Sequence, residues 1–593
     1  MVGGNDRYRI PTMAFWCATV GLIVFSVFAK ARQFGLCAND DFSYVTEHAF
    51  VTDGLTRQGM LEAFTYLGDA IWMPLTWMTY MLDHSAGWGV SGMHLVNVVL
   101  HAVNAMLLFA LLARLARRLG SGSVVLPVCA ALLWAVHPLR VESVVWVASR
   151  KDELSTLFFL WALFLWIGGC GWRRCLASFV LVAAGALAKP SVMVFPAFAL
   201  GIDFLVIGER KPVGAYVGLV VLSVLVAAEA TFGQSCGAMG ASRVIPLWFK
   251  LVNAGAALTV YLGNFAWPHE LAHQCLIRYP RMPHLSVPGA VLLLLAVSFL
   301  VWSLRPRIFR FARTRKVDDL VVGGRIENVV LAVLLIYFSC LLPFVGIVGF
   351  GYHAFADRFT LVPSLAFSIG LVAIVNPSAC RRSFRCVFAL VAATVVALLI
   401  ARTDRQIRYW KDDATLFGHT IEVDGDFNVI AHRAVGIYHW NESRDVEKVY
   451  MHLKKTVDAS VANECIFDLM NCCHLLIDAA YDLGRREEAD DYYYAMAKWN
   501  HRLGGGNSME FLMAEGLYYL QHGKSGKAQV DLAEMQEKHP DYYATRYLAY
   551  RIAKAKGNPE ETLAALRRCP THCRDDGYGR NTWAAKLLAA GER

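Results

Sequence analysis

Residues 385–402 read RCVFALVAATVVALLIAR, with no charged side chain between Arg385 and Arg402. About 20 mostly apolar residues in a helix span the roughly 30 Å hydrocarbon layer of a membrane, and this run has that composition. Its position decides the fold. Upstream, comparable runs recur at 11–31, 93–115, 123–143, 153–169, 174–189, 191–208, 213–232, 287–304, 326–348 and 361–377. Downstream, from Tyr409 to Arg593, the chain is charged, tyrosine-rich and without another such run. The pattern predicts an all-α protein: a polytopic helical membrane bundle of about eleven spans over residues 1–402, then a soluble helical domain over 403–593.

Composition agrees with that division. Of 593 residues, 56% are hydrophobic and 18% charged, against about 25% charged in ordinary soluble domains. This excludes a soluble enzyme, a secreted disulfide scaffold and a disordered chain. The net charge of +9 sits in short segments between apolar runs: Arg7 and Arg9; Arg114, Arg117 and Arg118; Arg173 and Arg174; Arg210 and Lys211; Arg305 to Arg325; and Arg381, Arg382 and Arg385. Cationic loops of this kind stay cytoplasmic and orient the helices, so the charge points to topology and not to nucleic acid. With the N-terminus inside, eleven spans place every one of these segments in the cytoplasm and bring the tail out on the other side. Phe249–Trp267 is apolar enough for a twelfth span, but its crossing would carry Arg305–Lys316 outward. It is therefore read as a helix in the outer interface or dipping into the bundle.

Cysteines Cys17, Cys129 and Cys340 fall within apolar runs, where a thiol acts as a small hydrophobe. Cys236 and Cys275 could pair if both lie outside. Cys569, His572 and Cys573 lack the second cluster that a structural metal site needs, and no metal or resident cofactor is read from the sequence.

The topology leaves a long outer loop, 32–92, in which Met60–Tyr66 and Ile71–Leu82 read as short amphipathic helices on the membrane surface. Its first feature is Asn39-Asp40-Asp41. Two adjacent carboxylates at an apolar boundary repel one another and keep one of them basic, which suits a general base; a helix cap or a solvated turn is the plainer explanation of the pair alone. His137-Pro138, Glu142, Arg150, Lys151, Asp152, Lys189-Pro190 and Asp357-Arg358 fall at span ends on the same side. Each taken singly could merely snorkel. Together they offer a base and a set of cations, which transfer from a lipid-phosphate donor requires: cations hold the phosphate and stabilise the leaving charge, and a carboxylate takes the acceptor proton. The candidate catalytic residues are thus Asp40 and Asp41; His137, Arg150, Lys151, Lys189 and Arg358 are candidate phosphate ligands; Glu142, Asp152 and Asp357 support them.

In the tail, helical segments alternate with turn glycines Gly484, Gly523 and Gly557, spaced 39 and 34 residues apart. A 34-residue helical-hairpin period is the tetratricopeptide signature, so three to four degenerate repeats are expected, suited to holding polypeptide.

The ordered set Asp40-Asp41-Phe-Ser-Tyr44, Gly54-Leu55-Thr56, Trp72-Met73-Pro74-Leu75-Thr76, His94-Leu95-Val96-Asn97, His137-Pro138 through Glu142-Ser143, Arg150-Lys151-Asp152, Ala188-Lys189-Pro190, Ala356-Asp357-Arg358 and Tyr409-Trp410 resembles the bacterial and animal membrane glycosyltransferases fused to tetratricopeptide repeats. The animal members are protein O-mannosyltransferases of the GT-C class that use dolichyl-phosphate mannose on the lumenal side. The resemblance implies Asp40, with Asp41, as first-loop base and Arg358 with Lys189 at the lipid phosphate. Met73 stands where the family often has a basic residue, and His48 where it usually has Asn. The chain looks closer to the bacterial members, which implies an undecaprenyl or other polyprenyl phosphate carrier, an inner (plasma) membrane location and an extracytoplasmic tail. The expected function is transfer of a sugar, mannose in the animal members, to Ser/Thr hydroxyls of exported polypeptides. Two alternatives stand beside it: a catalytically inactive membrane anchor whose repeats are a scaffold for an envelope complex, and a transferase acting on a lipid-linked glycan.

Overall fold

The computed structural model describes residues 10–38, 40–68, 71–236, 245–277, 286–314, 324–347, 353–375, 382–443, 445–462, 466–502, 508–540 and 542–567. Arg7, Arg9, Arg315, Lys316, Arg381 and the Cys569–Cys573 segment lie outside them. The chain divides into two compact units, one of Met1–Leu36 with Phe50–Lys411, the other of Cys37–Ala49 with Asp412–Arg593.

The first unit is a helical bundle. Its helices are α1 (Ile10–Phe28), α2 (Arg57–Thr65), α3 (Pro74–Ala86), α4 (Gly89–Arg118), α5 (Val125–Ala135), α6 (Val141–Val145), α7 (Arg150–Trp166), α8 (Trp172–Ala186), α9 (Phe195–Leu200), α10 (Val213–Cys236), α11 (Leu247–Ala266), α12 (Ser286–Thr314), α13 (Arg325–Leu341), α14 (Leu365–Ile374) and α15 (Arg382–Tyr409). Among the described residues, seven helical segments are long and apolar enough to cross a membrane, beginning with Pro11–Gln33 and ending with Cys386–Tyr409; α5 with Pro138–Val145, bent by 56°, makes an eighth if counted as one span. The chain is a multi-pass membrane protein. Two of the expected spans, 153–169 and 174–189, are helices of 17 and 15 residues. The expected loop helices are present as α2 and α3. The extra apolar stretch is α11, a 20-residue helix outside the set of seven.

Polar groups tie this bundle together. On α4, His94, Asn97, His101 and Asn104 are all buried and recur at the spacing of one helical face. Each finds a partner: His94 Nε2 lies 3.2 Å from the Gly35 carbonyl, and the Asn97 amide donates to the Trp146 carbonyl at 3.0 Å. His101 places Nε2 2.9 Å from the Ala135 carbonyl and Nδ1 3.1 Å from Glu153. Asn104 donates to the Glu153 carboxylate at 2.8 Å. Elsewhere Asp203 accepts from Lys211 (2.7 Å), Tyr216 (2.7 Å) and Trp166 (2.9 Å). In an apolar surround an unpaired polar atom costs several kcal/mol, so these pairings fix how the helices meet.

The second unit is built of helical hairpins. It contains α16 (Asp413–Asp424), α17 (Val429–Tyr438), α18 (Val446–Ala462), α19 (Ile466–Asp482), α20 (Arg486–Arg502), α21 (Met509–Gln521), α22 (Ser525–Lys538), α23 (Tyr543–Ala555) and α24 (Pro559–Arg567). The glycines singled out in the sequence, Gly484, Gly523 and Gly557, turn the last three pairs at φ of 74°, 69° and 70°, a left-handed conformation in which a Cβ is costly. Tyrosine hydroxyls link the hairpins: Tyr547 to Asp478 (2.5 Å), Tyr542 to Glu510 (2.6 Å) and Tyr492 to Asp458 (2.8 Å).

Candidate active site

The site in the first unit forms where three irregular segments meet. One is the break after α5, where His137-Pro138 ends the helix and α6 restarts it. The second is the turn Ala188-Lys189-Pro190. Loop helix α3 holds this turn: Leu75 N–H donates to the Leu187 carbonyl at 3.0 Å and Thr76 Oγ1 to the Ala188 carbonyl at 3.0 Å. The third is the Asp357–Thr360 turn. It follows the short strand β2 (His353–Phe355), which pairs antiparallel with β1 (Cys275–Leu276). Helix α11 braces it, with Tyr261 Oη accepting from Ala356 N–H at 3.2 Å and Asn253 donating to the Ala354 carbonyl at 3.4 Å.

Glu142 is the centre of this arrangement. Its carboxylate accepts the Arg358 backbone N–H at 3.0 Å and pairs with the Arg358 guanidinium. His273 Nδ1 lies 3.0 Å away on the same carboxylate. The guanidinium lies over the Trp146 and Phe359 rings, 5.2 and 4.9 Å from their centroids. Lys189 pairs with Asp152 at 2.5 Å. Asp152 Oδ2 has no hydrogen-bond partner among the described residues.

Lys189, Arg358 and Asp152 line one cleft whose other walls include Val194, Cys340, Phe344, Leu361 and Val362. Two cations facing an apolar wall suit an anionic head on a hydrocarbon tail. A second cleft is lined by residues that include Glu142, Asp357, His273, Gln406 and Trp410. Lys151 is buried, with Nζ 5.7 Å from the Trp146 ring.

Two sequence candidates do other work. Arg150 is fully buried, and all three of its guanidinium nitrogens are engaged: Nε with Asn97 Oδ1 at 2.9 Å, Nη2 with the Met93 carbonyl at 2.8 Å, and Nη1 in an ion pair with Asp83. His137 uses both ring nitrogens, Nδ1 accepting Leu139 N–H at 3.2 Å and Nε2 facing the Phe265 carbonyl at 3.1 Å. These contacts shape the break after α5 and the start of α7. Asp40 and Asp41 belong to the second unit. Asp41 is buried and accepts the Cys37 N–H at 2.9 Å; Asp40 is half-buried. Nearby in that unit, Asp413 accepts the Ala38 N–H at 2.8 Å. Burial pushes the Asp413 carboxyl up to about 7, with Asp412 and Glu442 adding to the effect.

The sequence did not single out His273 or Glu153, and Trp410 and Arg140 stood only inside quoted motifs, without a role. Arg140 is fully buried and donates to Thr360 Oγ1 at 2.7 Å, while Thr360 Oγ1 donates to the Asp357 carbonyl at 2.7 Å, so it supports the Arg358 turn from beneath. A buried arginine two residues before Glu142 was the available signal. Nothing in the sequence marked His273, which the β1–β2 pairing brings in. Among the described residues no group of three or more His, Cys, Asp or Glu side chains could hold a metal ion, and Cys275 is a free thiol.

No protein-family model matches the chain. Protein O-mannosyl-transferase Tmtc2 of Drosophila melanogaster is 32% identical over 133 residues, 21% of this chain and 14% of that protein. Protein O-mannosyl-transferase TMTC4 of Mus musculus is 29% identical over 165 residues, 25% and 22% of the two lengths. Protein O-mannosyl-transferase TMTC3 of Mus musculus is 33% identical over 123 residues, 20% and 13%. The matched stretch thus spans less than a quarter of these relatives. Over that stretch, the chain is similar to these animal protein O-mannosyl-transferases.

Proposed function

We propose that this chain is an inverting GT-C-type membrane glycosyltransferase that moves a sugar, mannose by analogy with its relatives, from a polyprenyl-phosphate donor to Ser or Thr hydroxyls of exported polypeptides. The observation that carries the reading is the cleft in which Lys189 and Arg358 face an apolar wall. A lipid phosphate needs both features: cations for its charge and hydrocarbon for its chain. The two cations stabilise the phosphate as it leaves, and Glu142 and Asp152 hold them in place. The names of the partial relatives support the chemistry, and a tail of helical hairpins of tetratricopeptide kind suits an extended polypeptide acceptor.

In this mechanism a carboxylate of the Asp40–Asp41 pair takes the proton from the acceptor hydroxyl. The hydroxyl oxygen bonds to the anomeric carbon from the face opposite the phosphate. The carbon–oxygen bond to phosphate breaks with its electrons passing to the leaving group, giving polyprenyl phosphate and an inverted glycoside. General-base assistance of this kind is worth about 10²–10⁴-fold. The test is to express Asp40→Asn and Asp41→Asn beside wild type and profile exported glycoproteins by mass spectrometry. Loss in at least one of the two variants is expected; unchanged glycosylation in both refutes the assignment.

A further inference from the structure

The hairpin of α7 and α8 has the Lys189–Asp152 pair at one end and the turn Gly168-Gly169 at the other. At 1.5 Å per residue, the 17 residues of α7 set these ends about 25 Å apart, close to the depth of a hydrocarbon layer. Three arginines from two helices converge on the glycine turn. Arg114, from α4, donates from Nη1 to the Phe164 carbonyl at 2.7 Å and lies over the Phe164 ring. Arg174, in the first turn of α8, donates to the Gly168 carbonyl. Arg118, at the end of α4, pairs with Glu209 at 2.6 Å. The glycines make the room. A Cβ on Gly168 would stand 2.9 Å from Arg114 Nη1; one on Gly169 would stand 2.8 Å from Arg174 Nη1 and 3.5 Å from Arg118 Nη2. Gly169 also has a φ of 136°, where a side chain is strained.

Topology asks only that cations stay on one side of the membrane; it does not ask them to meet. Like charges brought together repel, and Glu209 sets one carboxylate against three guanidiniums. Each guanidinium carries five N–H donors in a fork that matches phosphate, and the bonds above use one apiece. Beside them α8 offers hydrocarbon: Trp172, Leu176 and Val180, four residues apart on one helical face, are 67%, 53% and 56% exposed. We propose that Arg114, Arg118 and Arg174 form a binding site for the headgroup of an anionic phospholipid, whose acyl chain lies along Trp172, Leu176 and Val180. The site is in the leaflet opposite the Lys189–Arg358 cleft and separate from it, so its occupant is a structural lipid and not the sugar donor. That lipid neutralises the three charges and ties α4 to the α7–α8 hairpin. The inference does not depend on the transferase reading.

The test uses full-length protein in nanodiscs of dioleoylphosphatidylcholine with rising fractions of dioleoylphosphatidylglycerol. Cys170, an exposed thiol next to the glycines, is labelled with N-ethylmaleimide, with exposed Cys386 near the start of α15 as reference. Peptide mass spectrometry gives the ratio, and the buried Cys340 reports folding. In wild type, phosphatidylglycerol should slow Cys170 labelling about tenfold relative to Cys386, and phosphatidylcholine alone should not. A cation beside an anionic lipid is worth roughly fivefold in affinity, so Arg114→Gln/Arg118→Gln/Arg174→Gln together should weaken binding roughly a hundredfold and abolish the protection. Arg305→Gln/Arg310→Gln/Arg325→Gln, which removes the same charge from exposed positions elsewhere, should leave it in place. Glu209→Gln removes the competing carboxylate and should reach half-protection at about a fifth of the phosphatidylglycerol fraction. Equal loss in the two triple variants, or protection by phosphatidylcholine alone, overturns the proposal. Protection by inorganic phosphate in phosphatidylcholine discs would assign the site to a soluble anion and overturn the lipid. Where the first triple variant exposes Cys340, Glu209→Gln decides: an unchanged half-protection point refutes the site.

Discussion

Replacing Glu142 by Gln removes the one negative charge shared by the Arg358 guanidinium, the Arg358 N–H and His273. Glu142 and Arg358 are buried, so water cannot take over as partner. Deleting one member of a buried ion pair costs about 3–5 kcal/mol, and hydrogen bonds to charged groups are worth about 1.5–3 kcal/mol. The glutamine amide keeps an acceptor oxygen, so we expect a loss of ~2–3 kcal/mol for Glu142→Gln and a similar loss for Arg358→Met. Because each change removes the same interaction, the double variant should cost ~2 kcal/mol less than the sum. The assay is an SDS titration of the full-length protein, read through alkylation of Cys340, a buried thiol in the wall of the Lys189–Arg358 cleft. Independent sites add within about 0.3–0.5 kcal/mol. Additivity within that margin would show that Glu142 does not hold Arg358, and the argument for an organised phosphate site would lose its basis.

Other outcomes follow from the same structure. Arg150→Lys keeps the charge but cannot reach Asn97, Met93 and Asp83 together; it should cost ~2–4 kcal/mol in the same titration while leaving the apparent KM for lipid donor unchanged. Gly516→Ala would place a Cβ 2.7 Å from Leu548 Cδ2, in a fully buried contact between α21 and α23, and should lose about 1–3 kcal/mol. Gly418→Ala, inside α16 with nothing within 4 Å of the new carbon, should gain about 0.5–1 kcal/mol; thermal unfolding of the two variants side by side checks both signs. Burial, with Glu515 and Glu534 adding, pushes the Asp531 carboxyl from 3.8 up to about 7. The folded protein then keeps a proton that the unfolded chain has lost, so this group's contribution to stability falls as pH rises from about 4 to about 7. Asp531→Asn should therefore gain stability over wild type at pH 8 and not at pH 4, by at most ~4 kcal/mol, measured as the difference between unfolding midpoints at the two pH values.

What the sequence discloses depends on how local the cause is. The run at 385–402 is legible because solvent alone decides it, and it is recovered within the helix Arg382–Tyr409. Gly484, Gly523 and Gly557 are legible because a left-handed turn is a property of one residue. Partnerships are harder to read. Glu142 and Arg358 lie 216 positions apart, and only the path through α11 and the β1–β2 pair brings them together. Arg150 looked like a phosphate ligand by charge and place; its role was decided by Asp83, Asn97 and Met93, none of which its own neighbourhood reveals. One signal was available and passed over: His94, Asn97, His101 and Asn104 mark a polar face on an otherwise apolar helix, and such a face belongs to the bundle interior.

The most direct measurement is sugar transfer by the purified full-length protein supplied with undecaprenyl-phosphate mannose as probe and exported proteins from cells lacking this gene as acceptor. The account predicts glycosylated Ser or Thr with stoichiometric release of undecaprenyl phosphate, lost in Lys189→Ala and Arg358→Ala while both variants keep Cys340 protected. Equal transfer by these folded variants and wild type would contradict it.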